Sequence, residues 1–418
     1  MNPERIIAGL DIGSAKTTVV IAEAVGDRKS TPSLRILGVG QARTTGLRKG
    51  VVSDIEETTR SIKKAVEDAE RMAGTRIDAI YAGIAGEHVR AMISKGIVAV
   101  NGEEISKADV DRANDVARAQ QVPQDRELLH AIPQEYSVDK NQGIRDPIGM
   151  IGTRLETEMY LVTIGASPAM NLRKSVEKAG YRVRELVLEP LASALSVLTE
   201  DEKELGVALV EMGAGTTDIA VFHEGKIRHL GTVNYGGNNV TSDIVQGMGV
   251  TQADAERLKE RYGCAYEPLV DPTDVIQLPS TVAQGERHIP REVLAHIIHQ
   301  RMDEIFNLVL NEIQRAGYAQ RLSGGVVITG GAAAMEGVAE LAADVFGTGV
   351  RIGSPSENIG GLSDSVDAPR FATVVGLALY GAHRAAAGFS PTSKHRVFAG
   401  AGVDRFTKRL KTWLEDFF

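Results

Sequence analysis

A ten-residue segment, Asp11-Ile-Gly-Ser-Ala-Lys-Thr-Thr-Val-Val, returns two hundred positions later as Glu211-Met-Gly-Ala-Gly-Thr-Thr-Asp-Ile-Ala. Acid aligns with acid, Gly13 with Gly213, and Thr17 with Thr217. Apolar residues precede each copy: Ile6, Ile7 and Leu10 the first, Val207, Leu209 and Val210 the second. Each copy therefore predicts a strand, a tight glycine-bearing turn and a second strand, a β-hairpin. Two such hairpins facing each other can hold one polyphosphate between them. Their turn amides would point at the phosphates and their acids at a bound cation. A single acid-x-Gly turn is common and carries little weight; the pair is far more specific.

A third segment adds to this. Residues 326–337 read Val-Val-Ile-Thr-Gly-Gly-Ala-Ala-Ala-Met-Glu-Gly. The pattern predicts a buried strand ending in Thr329-Gly330-Gly331, with a helix following. A diglycine there lets a planar base or ribose approach the backbone closely. Taken alone, it reads as an ordinary strand-to-helix turn. Other nucleotide signatures fail. Gly9 to Lys16 has the wrong spacing for Gly-x-x-x-x-Gly-Lys-[Ser/Thr], and no strand-linked Gly-x-Gly-x-x-Gly occurs.

These residues resemble the actin-like ATPase superfamily, which includes actin, DnaK-type chaperones and sugar kinases. Asp11 to Thr18 is similar to its first phosphate motif, and Glu211 to Asp218 to its second. Glu189-Pro190-Leu-Ala-Ser-Ala is similar to its first interdomain connector. Val326 to Gly337 is similar to its adenosine motif, and Phe371-Ala-Thr-Val-Val-Gly-Leu-Ala-Leu-Tyr-Gly to its second connector. The resemblance implies an α/β, actin-like (ribonuclease H-like) two-lobed ATPase fold. One departure stands out: the second motif usually opens with Asp, and here it opens with Glu211.

At 418 residues the chain has room for two large domains, each with its own core. The net charge of -8, with no long basic stretch, argues against nucleic-acid binding. The single cysteine, Cys264, cannot form an internal disulfide, and a reducing cytoplasm is the expected compartment. The N-terminus shows no long apolar signal region, and no apolar run reaches the roughly 18 residues that span a bilayer.

Ile62, Ala65, Val66, Ala69 and Met72 give Thr58 to Met72 a one-sided helical pattern, and Ile77 to Ile84 reads as a strand. Residues 85–163 leave the superfamily pattern. They hold two expected short strands, Val89 to Ile93 and Ile97 to Val100, and a polar helix capped by Ser106 with Asp109 three residues on. A turn-rich stretch, Asp146-Pro147-Ile-Gly149-Met-Ile-Gly152, precedes strand Glu158 to Ile164. This block reads as an inserted α+β subdomain. Ser167 to Lys178 is the next expected helix. Within 246–308 a helix is expected over Ala253 to Tyr262. A longer one runs over Arg291 to Asn311, carrying Val293, Leu294, Ile297, Ile298, Ile305, Leu308 and Val309. Arg301 and Glu304 fall on its exposed face, either as a solvated salt-linked pair or as a contact site.

Residues 389–402 read as a linker. In 403–418 the residues Val403, Phe406, Leu410, Trp413, Leu414, Phe417 and Phe418 fall within a helical arc of roughly 140° at about 100° per residue. Arg405, Lys408, Arg409 and Lys411 flank it, and the chain's one tryptophan lies on the apolar side. A helix docked on the protein's own core would fit this pattern. The preceding linker, the aromatic load and the flanking cations favour a membrane surface with anionic headgroups.

Core, insert and tail together resemble the FtsA family of bacterial cell-division proteins. The stretches that carry this are Gly83-Ile-Ala-Gly86-Glu-His, Leu129-His130-Ala-Ile-Pro133, Val138-Asp139, Asp146-Pro147-Ile-Gly149-Met and Asn358-Ile-Gly360-Gly361-Leu. The resemblance implies subdomain 1A over 1–84, 164–191 and 367–388, and an inserted subdomain 1C over 85–163. Subdomain 2A would cover 192–245 and 309–366, and subdomain 2B 246–308. It also implies ATP binding with Mg²⁺, protofilaments, peripheral membrane attachment at the division site through the tail, and recruitment of FtsZ and later division proteins. Asp11 and Glu211 would hold the cation through waters. Lys16 would supply a point charge, and the amides of Ser14, Ala15, Gly215, Thr216 and Thr217 would cradle the phosphates. Gly330, Gly331 and Met335 would border the adenosine. Glu256 and Lys259 would reach the ribose or base, with Gly236 and Gly237 lining the pocket. Glu189 would orient a water, and with Glu211 in place of Asp only weak turnover is expected. The FtsZ C-terminal peptide would dock in the 246–308 region, with Arg301 and Glu304 as candidate contacts. Three other functions are weighed. A PilM-like pilus scaffold shares the core but does not need the amphipathic tail. A small-molecule kinase needs an acceptor site with a catalytic carboxylate, and Glu189 is the one candidate. A DnaK-type chaperone needs a substrate domain, for which only thirty residues remain.

Overall fold

The structure is a computed structural model that describes residues 5–26, 32–278, 287–356 and 358–386. The linker and the 403–418 segment, with its seven apolar positions, lie outside the described residues. The chain forms two compact units. The larger draws on Met1–Val25, Pro32–Glu87 and Ser175–Arg384, and the smaller is built on His88–Lys174.

The strands used below are, in chain order, β1 (Ile6–Ile12), β2 (Lys16–Val25), β3 (Ser33–Arg43), β4 (Ala79–Ile84) and β5 (Arg90–Ala99). Then come β6 (Arg126–Val138), β7 (Asn141–Ile144), β8 (Arg154–Gly165), β9 (Arg182–Leu188), β10 (Val207–Met212) and β11 (Thr217–His223). The last are β12 (Lys226–Val233), β13 (Val326–Thr329), β14 (Val350–Ile352) and β15 (Ile359–Gly361).

The larger unit carries two sheets. One has the order β9-β4-β1-β2-β3-β15 and the other β12-β11-β10-β13-β14. In the first, β1 is antiparallel to β2 and β2 to β3, while β1 and β4, and β4 and β9, run parallel. The second repeats this: β10 is antiparallel to β11 and β11 to β12, while β10 and β13, and β13 and β14, run parallel. The duplication seen in two short segments thus extends over five strands of each sheet. The central strands are buried on both faces, which suits near-continuous apolar runs such as Val207-Ala-Leu-Val210.

Helix α1 (Ile55–Ala73) buries Ile62, Ala65, Val66 and Ala69 against β2 and β3. Asp54 caps it by accepting the Glu57 amide at 2.9 Å, and Gly74 in the left-handed region ends it. Met72, expected on the buried face, is 54% exposed.

The smaller unit is a four-stranded antiparallel sheet, β5-β8-β6-β7, with helix α2 (Lys107–Arg118) packed on it. Its core includes Ile105, Ala113, Tyr136, Val138 and Leu155. Ser106 and Asp109 form the expected capping box. In place of the two expected short strands, one continuous β5 runs through Gly96, whose missing side chain lets the Ala113 carbonyl of α2 sit against the strand. Helix α3 (Ala166–Lys178) follows β8.

Helices α4 (Glu189–Val197) and α5 (Glu200–Leu205) precede the second sheet. Helices α6 (Gly237–Met248), α7 (Gln252–Tyr262) and α8 (Arg291–Arg315) follow β12. Helix α8 runs four residues past the expected Asn311, and its buried face continues through Met302, Phe306 and Ile313. Val293, expected inside, is exposed. Helices α9 (Val338–Phe346) and α10 (Ala372–Ala386) complete the set. Among the described residues, no helix is long and apolar enough to cross a membrane.

Candidate functional site

The two repeated segments form the expected hairpins, and their turns close in the same way. Gly13 N–H donates to the Lys16 carbonyl at 3.1 Å, and Gly213 N–H to the Thr216 carbonyl at 2.9 Å. Asp11 stands opposite Thr18 in the first ladder and Glu211 opposite Asp218 in the second. The matched threonines anchor the turns: Thr17 Oγ1 lies 2.8 Å from Thr44 Oγ1, and Thr217 Oγ1 donates to the Tyr235 carbonyl at 2.9 Å. The turns meet directly, since a Cβ on Gly215 would lie 2.7 Å from Ser14 Oγ. Ala15 and Lys16 at the tip of the first turn are exposed.

Four carboxyl groups gather behind the turns. Burial raises the pKa of Asp11, and the charge of Glu211 adds to the shift. Burial likewise pushes Glu189 well above the usual carboxylate range, reinforced by Asp11, Glu211 and Asp218. Glu211 is raised by burial against the opposing pull of two hydroxyl donors, Thr373 and Ser193. Asp218 is pushed up to about 6 by burial, although it accepts from Thr232 Oγ1 at 2.7 Å and Thr216 Oγ1 at 3.1 Å. Like charges drawn together away from bulk water disfavour ionisation in this way, and a site so loaded with oxygen donors suits a hard cation. Among the described residues, no three His, Cys, Asp or Glu side chains stand close enough to cage a metal ion by themselves.

On the other side of the second turn, the start of α6 folds back onto it. Gly237 N–H donates to the Gly213 carbonyl at 3.0 Å, and Asn238 N–H to the Ala214 carbonyl at 2.8 Å. A Cβ on Gly236 would lie 2.6 Å from the Gly213 oxygen. Lys259 Nζ donates to the Gly237 carbonyl at 3.1 Å, to Thr241 Oγ1 at 2.8 Å and to Glu256 Oε2 at 2.8 Å. Gly237, Glu256 and Lys259 thus form one connected group. Ala332 borders it, its Cβ 3.7 Å from where a Gly237 side chain would begin.

Gly330 and Gly331 differ in what they do. Gly330 has φ +91°, and a side chain there would lie 2.5 Å from the Met212 carbonyl at the end of β10. The fold itself requires this glycine. Gly331 has nothing within 4 Å of its Cβ position, so it opens onto free space. The expected helix after the diglycine is a 3₁₀ turn, Gly331–Ala334, and α9 begins only at Val338. Met335 sits between them, partly buried against the core of the second sheet.

Two family models match the chain: "Cell division protein FtsA" over residues 208–376 and "SHS2 domain inserted in FTSA" over residues 86–163. A Pseudomonas aeruginosa relative described as cell division protein FtsA is 40% identical, covering 98% of both chains. The Neisseria meningitidis protein of that description is 40% identical over 99% of both. The Escherichia coli one is 38% identical over 98% of this chain and 97% of its own. The chain belongs to the FtsA family. It is an actin-like cell-division protein. Solved structures share the fold at low identity. A PilM–PilN type IV pilus biogenesis complex gives a TM-score of 0.63 at 16% identity, covering 90% of this chain and 98% of that one. MreB5 of Spiroplasma citri bound to ADP gives 0.54 at 15%, covering 90% and 96%. These likenesses show the actin-like fold alone.

One residue not singled out from sequence, Asp218, joins the site in this FtsA-family member, and two more, Ser193 and Thr373, stand behind it as hydroxyl donors to Glu211. Asp218 was visible as the second acid of its turn, opposite Glu211. Ser193 and Thr373 gave no spacing signal. Arg301 and Glu304 lie apart from the hairpin turns, on α8. Arg301 Nε donates to Asp243 Oδ2 at 2.6 Å and Nη2 to Asp243 Oδ1 at 3.1 Å. It also pairs with Glu304 and lies over the Tyr235 ring at 5.7 Å. That is the salt-linked arrangement; Arg301 is committed within its own lobe.

Proposed function

We propose that this FtsA-family protein binds ATP with Mg²⁺ between its paired hairpin turns and polymerises at the membrane, tethering FtsZ filaments there. The observation that carries the reading is the meeting of two equivalent turns, with Asp11, Glu189, Glu211 and Asp218 gathered behind them. Turn amides at Ser14, Ala15, Gly215, Thr216 and Thr217 suit phosphate oxygens. Asp11 with Glu211 or Asp218 suits a hydrated Mg²⁺, which would neutralise phosphate charge. Lys16, exposed on the first turn, suits a further phosphate charge, and the free space at Gly331 suits a planar base. Gly237, Glu256 and Lys259 form the ribose side. Proteins of the same fold have been solved bound to ADP and as a double helical filament, which supports both parts of the proposal.

Turnover is slow in this reading. Hydrolysis needs a positioned water. Glu189, buried among the other acids, suits orienting that water, and Glu211 stands where the superfamily's second phosphate motif usually has Asp. The nucleotide then acts mainly as a clasp that sets the relation of the two sheets.

The remaining parts rest on family membership and the sequence. Residues 85–163 of one subunit would meet 246–308 of the next, giving an open filament. The FtsZ C-terminal peptide would dock in the 246–308 region; an acidic peptide group using Arg301 would have to displace Asp243 or Glu304. Residues 403–418 would attach the filament to lipid.

Titration calorimetry with ATP and Mg²⁺ tests the site. Lys16→Ala combined with Gly331→Val removes one phosphate charge and fills the free space, and should weaken ATP at least about tenfold, as losing about 1.4 kcal/mol does. Unchanged affinity in the folded variant overturns the assignment.

A further inference from the structure

Helices α4 and α10 cross in the interior, and the crossing is tight. Gly376 of α10 packs directly on α4; a side chain there would overlap the Ala192 carbonyl. Ser196 Oγ bridges the pair, with the Ser193 carbonyl at 3.0 Å on its own helix and the Ala372 carbonyl at 2.7 Å on the other. At the same crossing each helix offers one hydroxyl to one carboxylate. Ser193 Oγ donates to Glu211 Oε2 at 2.8 Å, and Thr373 Oγ1 donates to Glu211 Oε1. The two hydroxyls stand 3.1 Å apart. Ser193, Thr373 and Glu211 are all buried, so these bonds face little competition from water.

Such an arrangement exceeds what helix packing needs. Two apolar residues could fill the crossing at less desolvation cost. A shorter acid could not bridge it: aspartate would draw the carboxylate back by one methylene, about 1.5 Å of reach. Both oxygens of Glu211, the acid of the second turn, are thus engaged by hydroxyls of two crossing helices. A phosphate-bound cation that draws on Glu211 competes with those hydroxyls.

We infer that Ser193 and Thr373 are positioning residues that, as a hydroxyl clasp on Glu211, couple the nucleotide-bound cation to the crossing of α4 and α10. The inference rests on the ATP·Mg²⁺ reading above. Nucleotide state then reaches the crossing through one side chain, and Glu211 at this position is there for its length as well as its charge.

The test is hydrogen exchange of the α4 and α10 amides in the full chain, with and without ATP and Mg²⁺, beside calorimetric ATP binding. In the parent, ATP·Mg²⁺ should change exchange at both helices. In Ser193→Ala/Thr373→Val, ATP should still bind through the turns while the change at the two helices is lost. Thr373→Ser, which keeps the hydroxyl, should restore it when made with Ser193 intact. Glu211→Asp, which keeps the charge but shortens the reach, should lose it as well when measured at ATP and Mg²⁺ concentrations that calorimetry shows to saturate the variant, and serves if the double variant fails to fold. A folded double variant, or Glu211→Asp, that binds ATP and shows the parent's full exchange response overturns the clasp. If the parent itself binds no ATP, the nucleotide reading fails first and the clasp falls with it. If the parent binds ATP but exchange at α4 and α10 does not change, the clasp alone fails.

Discussion

A Cβ on Gly376 would overlap the Ala192 carbonyl, and neither backbone can retreat without moving a whole helix. Gly376→Ala should therefore destabilise the larger unit by about 1–3 kcal/mol, the usual cost of forcing atoms into a packed core. Thermal denaturation checks this, and a melting temperature equal to the parent's would mean that the crossing is looser than drawn. Seven residues on, burial lowers the His383 pKa to about 4, and Lys203 adds to it. The unfolded imidazole titrates near 6.5. Between those values the unfolded chain binds a proton that the folded one refuses. Stability from this group is therefore full above about 6.5 and is lost as pH falls toward 4. The raised carboxyls Asp11, Glu211 and Asp218 act with opposite sign, weakening the fold as pH rises through their range. The clean measurement is a difference. Melting of His383→Gln should fall less than the parent's between pH 7 and pH 5, and parallel curves would remove His383 from the account. At this scale the sequence was most legible where function repeats a residue, as with Asp11 and Glu211, and least where partners are distant. Ser193 and Thr373 are 180 positions apart, in the two segments similar to connectors, and nothing in either segment marks its hydroxyl as a partner of Glu211.

Elements with a clear apolar pattern were readable in advance. The near-continuous apolar runs around the two turns follow from burying both faces of a strand, and the one-sided pattern of α1 from burying one face. Where expectation and structure part, a neighbour decides. Gly96 looks like a strand break until α2 is seen resting on it. The diglycine at 330–331 leads into a 3₁₀ turn because Gly330 must hold φ +91° against β10, which delays the helix to Val338. Helix α8 runs on past the expected Asn311 because Ile313 continues its buried face among the polar Glu312, Gln314 and Arg315. Helix α5 is only six residues long and depends on its cap: Thr199 Oγ1 accepts the Glu202 amide at 3.2 Å, and Glu202 Oε2 accepts the Thr199 amide at 2.8 Å. Glu202 also takes Arg351 Nε at 2.6 Å, tying α5 to β14. Thr199→Ala should cost about 1 kcal/mol, and Thr199→Ser should recover most of it in chemical denaturation. An equal loss in both variants would show that the threonine methyl, and not the hydroxyl, matters.

At the scale of the whole molecule, the proposed membrane attachment turns on the step from a single weak contact with lipid to many. Residues 403–418 place Val403, Phe406, Leu410, Trp413, Leu414, Phe417 and Phe418 on one side of a helical wheel, with Arg405, Lys408, Arg409 and Lys411 around them. A helix of that length is marginal alone in water. At roughly 1.5–3 kcal/mol for each fully buried apolar side chain, seven give a gross gain on the order of 10 kcal/mol. Partial insertion and the cost of ordering the backbone reduce this considerably. One tail should therefore hold a subunit reversibly. A filament presents many tails at fixed spacing, and each further tail binds at high effective concentration. Polymerisation and membrane attachment should then reinforce each other. Flotation with anionic vesicles, with and without ATP, measures this. The full chain should float more completely when it polymerises, and removing 403–418 should abolish flotation while ATP binding is kept. Trp413→Glu with Phe417→Glu, which puts charge on the apolar side, should act like the deletion. If that double variant floats as well as the parent, the tail is not the anchor and the membrane part of the proposal falls.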